Sequence, residues 1–250
     1  MKLVWSPETA AKALLDTVKS CKGLDGSSVA ELIAAMAGGW NAKLIVETWS
    51  QGDVATTSIG LSIASVHTCG RHVCIVPDEV SKTEYSRVLR TAGMSPEVIV
   101  GVPEEVVKGM VIDFLVVDGQ KNNFGRVVMA AKFGGRGAVV VCKNAAARDV
   151  RLRSLFDGGS RRIVRSVFLP VGDGVDVAHV AAGEGGGSGS GSDKVKKSRW
   201  IRRVDIRSGE EFLFRKRRTV TSLSIWARKS KWRSLTSIKH PPETSSDSNF

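Results

Sequence analysis

VIDFLVVDGQKNNF, residues 111–124, is the stretch that decides the fold of this chain. Six of its first seven residues are apolar, and only Asp113 interrupts them. The run is too short to cross a membrane and is rich in β-branched residues. It therefore predicts a strand from Ile112 to Val117 that is buried on both faces in a parallel sheet. Asp118 and Gly119 end this strand, and polar groups at that end of a central parallel strand lie where open α/β sheets bind ligands.

Segments on both sides of this strand alternate between helix-like and strand-like patterns. After two N-terminal helices, the second capped by Ser28, the pattern predicts five strands that alternate with helices. The helices after the fourth and fifth strands are expected at residues 125–133 and 148–156. The alternation is typical of a doubly wound α/β sheet.

Two further strands are expected after these units, at residues 162–169 and 175–181, joined by a turn at Pro170–Gly174. The turn residues and their spacing predict an antiparallel hairpin. The sequence therefore predicts a Rossmann-like, doubly wound, mostly parallel seven-stranded sheet with an antiparallel C-terminal hairpin over residues 1–182, followed by a basic tail.

Positive charge is concentrated at the end of the chain. Of 37 Lys/Arg and 25 Asp/Glu, residues 193–250 hold 16 and 6, a net charge of +10 out of a total of +12. Residues 183–192, GEGGGSGSGS, predict a flexible linker. Residues 193–226 are expected to form a small basic hairpin or a WW-like segment, and residues 227–250 a disordered tail. Such a tail indicates an anionic partner or exposure to water.

The remaining composition indicates a cytoplasmic protein that does not enter membranes. No apolar run approaches the roughly 18 residues of a membrane span, and the N-terminus has no apolar signal segment. The four cysteines are scattered and are expected to be reduced thiols. The basic run Arg215–Arg218 is a candidate nuclear import signal, so a nuclear location is the alternative.

Two motifs resemble S-adenosylmethionine-dependent methyltransferases, in particular O-methyltransferases of the caffeoyl-CoA type. VIDFLVVDGQKNNF is similar to the strand-four motif of that branch, and FLPVGDGVDVAHV, residues 168–180, is similar to its closing hairpin. WSPETA near the start and SRWIRRVDIRSGEEF near residue 205 resemble a plant family of unknown function described as methyltransferase-like. The resemblance implies a methyltransferase-type domain over residues 1–182 with S-adenosylmethionine as its cofactor.

The resemblance also implies where that cofactor would bind. The loop after the first strand supplies Glu47, Thr48, Trp49, Ser50 and Gly52. In the family this loop is glycine-rich, so that the backbone can approach the ligand, but here Trp49 stands where a glycine is expected.

Three other positions complete the expected cofactor site. Asp118 and Gly119 would contribute from the end of the central strand. The family has an acidic residue at the end of strand two, which accepts hydrogen bonds from the ribose hydroxyls. The closest position here is Val76; Asp78 and Glu79 lie slightly beyond, and Asp78 is the candidate.

Metal-dependent members of the family use an Asp on strand four and an Asp-Asn pair after strand five. Asp118 and Asn144 match, but Lys143 occupies the remaining Asp position. A lysine ammonium cannot ligate Mg²⁺ or Ca²⁺, which bind oxygen donors. We therefore expect no metal, and we expect Lys143 to pair with Asp118. Lys121 is the amine placed for general-base work, with a surface charge at a helix start as the alternative.

Two functions from different classes follow. The first is metal-independent methyl transfer to a small-molecule oxygen, with Asp118, Lys121 and Lys143 as candidate catalytic residues. The alternative is a non-catalytic Rossmann-like binding protein whose residues 193–226 recruit nucleic acid or a proline-rich protein. The salt dependence of binding would distinguish these two partners, because the affinity for nucleic acid phosphates falls steeply as the salt concentration rises and the affinity for a peptide falls much less.

Overall fold

The computed structural model describes residues 5–146, 150–156, 161–181, 200–204 and 211–215. The chain divides into two compact units, Met1–Ser188 and Gly189–Phe250. The described residues of the first unit form helices α1 (Pro7–Ser20), α2 (Ser27–Gly39), α3 (Thr56–Thr68), α4 (Glu79–Thr91), α5 (Pro103–Val106), α6 (Phe124–Ala130) and α7 (Leu152–Leu155), with a 3₁₀ turn at Val107–Gly109. Its strands are β1 (Leu44–Thr48), β2 (Arg71–Val76), β3 (Glu97–Val100), β4 (Val111–Ile112), β5 (Phe114–Asp118), β6 (Lys132–Phe133), β7 (Ala138–Lys143), β8 (Ile163–Leu169) and β9 (Val175–Val180).

Seven of these strands form one sheet in the order β3-β2-β1-β5-β7-β9-β8. The first five are parallel to one another, β9 is antiparallel to β7, and β8 is antiparallel to β9. This is the Rossmann-like sheet with an antiparallel C-terminal hairpin that the sequence predicts. The strand order reverses between β1 and β5, which is the switch point where open α/β sheets bind ligands.

Strand β5 is buried on both faces, as the apolar run predicts. Leu115 and Val117 pack on one side in a cluster with α6 and α7. Phe114 and Val116 pack on the other side in a cluster with α1, α2 and α3. A third cluster joins β2 to α3 and α4. Because helices cover both faces of the sheet, small polar ligands can approach its parallel strands mainly at their ends.

Several predicted boundaries are wrong. The strand expected over residues 112–117 is divided at Asp113, because this carboxylate accepts hydrogen bonds from the backbone N–H groups of Lys43 and Leu44. β4 pairs separately with β6, which occupies the end of the helix expected at residues 125–133. Ser28 lies inside α2, whose N-cap is Gly26. The helix expected at residues 148–156 is the single turn α7 in its described part.

The second unit is described only in part. Strands β10 (Trp200–Val204) and β11 (Glu211–Arg215) pair antiparallel, with Arg202 opposite Leu213. The expected linker at residues 183–192 and tail at residues 227–250 lie outside the described residues, and the WW-like interpretation stays a prediction. Within the described parts of the chain, no helix is long and apolar enough to span a membrane.

Candidate functional site

The carboxyl ends of β1, β5 and β7 bring together most of the residues singled out in the sequence. Asp118 and Gly119 lie at the end of β5, and Lys143 and Asn144 at the end of β7, the neighbouring strand. Glu47 and Thr48 end β1, and Trp49 follows them. The site is therefore built from three adjacent strand ends at the switch point of the sheet.

Asp118 is a buried carboxylate, 3% exposed, whose two oxygens both have partners. Its Oδ1 accepts a hydrogen bond from the backbone N–H of Gln120 at 2.8 Å. Its Oδ2 accepts from Asn144 Nδ2 at 2.8 Å and lies 3.8 Å from Lys143 Nζ, on a side chain 7% exposed. The ion pair expected between Lys143 and Asp118 is present, and its role in place of a metal stays a prediction.

Gly119 allows β5 and β7 to approach closely at this end. Its N–H donates to the carbonyl of Lys143 at 2.8 Å. A Cβ at this position would lie 3.0 Å from the carbonyl oxygen of Asn144 and 3.1 Å from Cys142 Sγ. A side chain would thus push the two strand ends apart and separate Asp118 from its partners.

Glu47 is directed into a buried polar network. The Tyr85 hydroxyl donates to Glu47 Oε1 at 2.7 Å, and His72 Nε2 lies 3.1 Å from the same oxygen. His72 Nδ1 in turn lies 2.9 Å from Ser62 Oγ. Burial raises the pKa of Glu47, but the interactions with His72 and Tyr85 outweigh burial and leave the pKa below its ordinary value.

The contacts of Glu47 with His72 and Tyr85 were not predicted from the sequence. His72 and Tyr85 come from β2 and α4, and their spacing from Glu47 carries no local pattern. Burial raises the pKa of Tyr85 well above its usual range, and the charge of Glu47 raises it further. The tyrosine therefore remains a hydrogen-bond donor to Glu47. The role of Glu47 as a direct cofactor ligand stays a prediction.

Trp49 is a core residue. Its indole is 2% exposed and packs edge-on against Tyr85, with ring centroids 5.3 Å apart. Its backbone N–H donates to the carbonyl of Ile75 at 3.0 Å, which extends the pairing of β1 with β2 by one residue. Nε1 has no hydrogen-bond partner among the described residues. The indole is thus withdrawn from the surface of the loop in which a glycine was expected.

Residues 50–53 form a tight turn after Trp49. Ser50 N–H donates to Asp53 Oδ2 at 2.9 Å, and Asp53 N–H donates to the Ser50 carbonyl at 3.0 Å. Gly52 adopts φ +83°, a conformation that favours glycine, and no heavy atom lies within 4 Å of where its Cβ would be. A Cβ at position 52 would therefore meet no residue outside the turn.

Lys121 contacts this turn from the loop after β5. Its Nζ lies 2.9 Å from Asp53 Oδ1, so an ion pair joins the loops that follow β1 and β5. Lys121 would have to leave this pair before it could act on a substrate proton. Asp53 was not among the residues singled out in the sequence, although its position next to Gly52 in the loop was a usable signal.

Asp78 begins α4. Its Oδ1 accepts a hydrogen bond from the backbone N–H of Ser81 at 2.7 Å, which is the bond of a helix N-cap. This bond lowers the pKa of the Asp78 carboxyl. The residue is exposed and follows the end of β2, so a role in holding a ribose stays a prediction.

The residues that the structure describes include no group of three His, Cys, Asp or Glu side chains close enough to hold a metal ion. At the strand ends, the charged groups form pairs with one another: Asp118 with Lys143, and Asp53 with Lys121. Each pair places an anionic and a cationic group side by side at these strand ends.

The fold and these strand ends define a Rossmann-like α/β domain with a polar edge at its switch point. The chain belongs to the family DUF1442, which is described as "Protein of unknown function". The family model matches residues 1–216. The comparison with curated proteins found no match.

Several solved structures are similar to the chain. They include a methyltransferase from Geobacter sulfurreducens, with 21% identity over 69% of this chain and 88% of that one and a TM-score of 0.47. Another is the SAH-bound methyltransferase PaMTH1 from Podospora anserina, with 14% identity over 68% and 87% and a TM-score of 0.48. A third is the O-methyltransferase TomG from Streptomyces achromogenes in complex with SAM, with 19% identity over 68% and 90% and a TM-score of 0.45.

Proposed function

We propose that this protein is methyltransferase-like, that it binds S-adenosylmethionine at the carboxyl ends of β1, β2 and β5, and that it transfers methyl to a small-molecule oxygen without a divalent metal. The observation that carries the proposal is the cluster of Asp118, Lys143 and Asn144 at the end of β5 and β7. Asp118 and Asn144 match two metal-binding positions of the metal-dependent branch. At the third position that branch has a metal-binding aspartate, and here the Lys143 ammonium supplies positive charge instead.

The loop after β1 fits such a ligand in two respects. Trp49 is buried against Tyr85 and so does not fill the space above the strand ends. Gly52 leaves the adjacent space open. Ser50 and Asp53 of this turn, together with Lys121, which pairs with Asp53, are the polar residues that would hold the ligand.

The protein's side chains would contribute mainly by positioning the two reactants and by placing charged groups around them. S-adenosylmethionine, when bound, supplies a methyl group on a sulfonium, so the protein needs to hold an acceptor oxygen against it. The Asp118–Lys143 pair and Gly119 would fix the end of β5, from which the loop carrying Lys121 continues. Holding two reactants in alignment can by itself supply a large part of a rate enhancement.

A second function is favoured by the Asp53–Lys121 ion pair. This pair spans the strand ends, and Glu47 and Asp118 also have internal partners. A protein whose charged groups satisfy one another in this way suits a non-catalytic role. Residues 193–250, with a net charge of +10, would then recruit an anionic partner such as a nucleic acid, or a proline-rich protein through residues 193–226.

The test is calorimetric titration of the full chain with S-adenosylmethionine and S-adenosylhomocysteine, with and without Mg²⁺. We expect saturable micromolar binding that Mg²⁺ does not change. The matched control is Lys143→Asp, which restores the Asp-Asp-Asn set of oxygen donors and should make binding respond to Mg²⁺.

Two results would contradict the proposal. Binding to the unmodified chain that requires Mg²⁺ would exclude the metal-independent mechanism. No heat and no thermal stabilisation at high ligand concentration would exclude the cofactor, because a ligand that binds the native state must stabilise it. The non-catalytic function would then be preferred, and a salt series of oligonucleotide binding would test it.

A further inference from the structure

The ion pair of Asp53 and Lys121 has the charges of an amino acid, distributed over two loops. Asp53 ends the tight turn after β1, and Lys121 lies in the loop after β5, the strand that pairs with β1. Asp53 Oδ1 and Lys121 Nζ are 2.9 Å apart. The two side chains thus face each other across the switch point of the sheet.

The two partners are held differently. The second carboxylate oxygen of Asp53 accepts the Ser50 N–H at 2.9 Å, so the turn fixes the carboxylate. Lys121 is anchored by its backbone, whose N–H donates to the Asp118 carbonyl at 3.2 Å, while the ammonium is carried on a flexible four-carbon stem. The lysine can therefore move away from a carboxylate that stays in place.

This pair is more accessible to a ligand than the other carboxylates and the lysine singled out at the ends of β1, β5 and β7. The Asp53 and Lys121 side chains are 12% and 36% exposed. Asp118 and Lys143 are almost fully buried, and Glu47 is enclosed by His72 and Tyr85. Gly52, the residue before Asp53, could carry a Cβ without meeting any residue outside the turn.

We propose that Asp53 and Lys121 form the binding site for the zwitterionic head of an α-amino acid ligand, with Asp53 taking its ammonium and Lys121 its carboxylate. This rests on the proposed function, in which the head is the methionyl part of S-adenosylmethionine. Binding replaces the Asp53–Lys121 ion pair with two ion pairs, one from each side chain to the ligand. Breaking the internal pair costs little, because a partly exposed ion pair contributes little to stability. Lys121 is then a ligand-binding residue and not a general base.

The test compares two probes that share the adenosyl thioether. S-adenosylhomocysteine carries the amino acid head, and 5′-methylthioadenosine lacks it. We expect the unmodified full chain to bind S-adenosylhomocysteine at least about tenfold more tightly, because charge-assisted hydrogen bonds are the stronger class. Asp53→Asn and Lys121→Met should each lower the affinity for S-adenosylhomocysteine by about tenfold and leave the affinity for 5′-methylthioadenosine unchanged.

Lys108→Met is the matched control. Lys108 forms an exposed ion pair with Glu105 at 2.7 Å, in the segment between β3 and β4. This variant should bind both probes as the unmodified chain does. A general effect of losing a surface lysine would appear here as well.

The outcomes separate this inference from the function on which it rests. If both probes bind the unmodified chain equally, or if Asp53→Asn and Lys121→Met weaken both in parallel, the head-group site is overturned while adenosyl binding stands. If neither probe binds, the proposed function fails and the head-group site fails with it.

Discussion

Asp113 and Asp118 stand at the two ends of the same central strand, and their carboxylates have different kinds of partner. Asp113 Oδ2 accepts from the backbone N–H groups of Lys43 at 2.9 Å and Leu44 at 3.1 Å, where β1 begins. Asp118 Oδ2 is held by two side chains of the next strand end, Lys143 and Asn144. The Asp113 carboxylate therefore links the start of β5 to the backbone of β1. The Asp118 carboxylate contacts side chains that could be replaced by substitution.

The difference shows which end of the sheet belongs to the fold and which can carry function. Backbone N–H groups are present whatever the sequence, so the bonds of Asp113 can be kept while the side chains around it change. The two side-chain partners of Asp118 Oδ2 exist only because Lys143 and Asn144 occupy those positions. Matched substitutions of both partners at the carboxyl end of the strands can thus alter charge and ligand while the sheet stays intact.

The largest effect is expected from breaking the buried pair. Asp118→Ala leaves the Lys143 ammonium without its partner at a site where the side chain is almost fully buried. Removing one member of a buried pair typically lowers the free energy of unfolding by about 4 kcal/mol. Adding Lys143→Met should recover more than half of that loss, because the unpaired charge is then gone. Urea unfolding of the single and double variants measures both values.

A double variant as unstable as Asp118→Ala would contradict this account. It would mean that the hydrogen bonds from Gln120 and Asn144, and not the ion pair, carry the stability at this strand end.

At Asp113, before the start of β5, we expect a smaller loss of stability that a second substitution does not restore. Asp113→Ala removes the acceptor for two backbone N–H groups and should lower the free energy of unfolding by about 2 to 3 kcal/mol. Arg136 also contacts Asp113, at 3.4 Å, but its side chain is partly exposed. Adding Arg136→Met should therefore recover nothing, and recovery in urea unfolding would show that Asp113 acts through its charge partner.

The smallest effect concerns pH and the third carboxylate, Glu47. Its pKa in the folded chain lies below the ordinary value of 4.5. A depressed pKa means that the ionised group stabilises the fold above that ordinary value, and that this stabilisation is lost as the pH falls through the folded-state pKa. The difference in melting temperature between the unmodified chain and Glu47→Gln should therefore be constant above about pH 5.5 and shrink below about pH 4.5. A difference that grows in acid would contradict the ionised state of Glu47.

The sequence was sufficient for the fold because the fold depends on local pattern. The apolar run before Asp118 and the turn at Pro170–Gly174 specify a buried strand and a hairpin, and both are present. The pairing of Lys143 with Asp118 could also be expected, because the resemblance aligned both residues with one cluster.

What could not be predicted depends on partners far apart in the chain. Glu47 meets Tyr85 across 38 positions, and Asp113 meets Lys43 across 70. No periodicity in the sequence records such contacts, since they arise from the register of the strands and the packing of α4 on the sheet. For the same reason the packing of the Trp49 indole against Tyr85 could not be predicted, and the place of Trp49 in a cofactor loop stays a prediction.

We propose that the ends of β1, β2 and β5 bind S-adenosylmethionine and that the Lys143 ammonium supplies positive charge in place of a metal. The most direct measurement is a crystal structure of the full chain grown with S-adenosylhomocysteine and Mg²⁺. We predict the nucleoside at these strand ends, with the Lys143 ammonium still beside Asp118. Magnesium bound to Asp118, or a ligand bound elsewhere on the domain, would contradict the account.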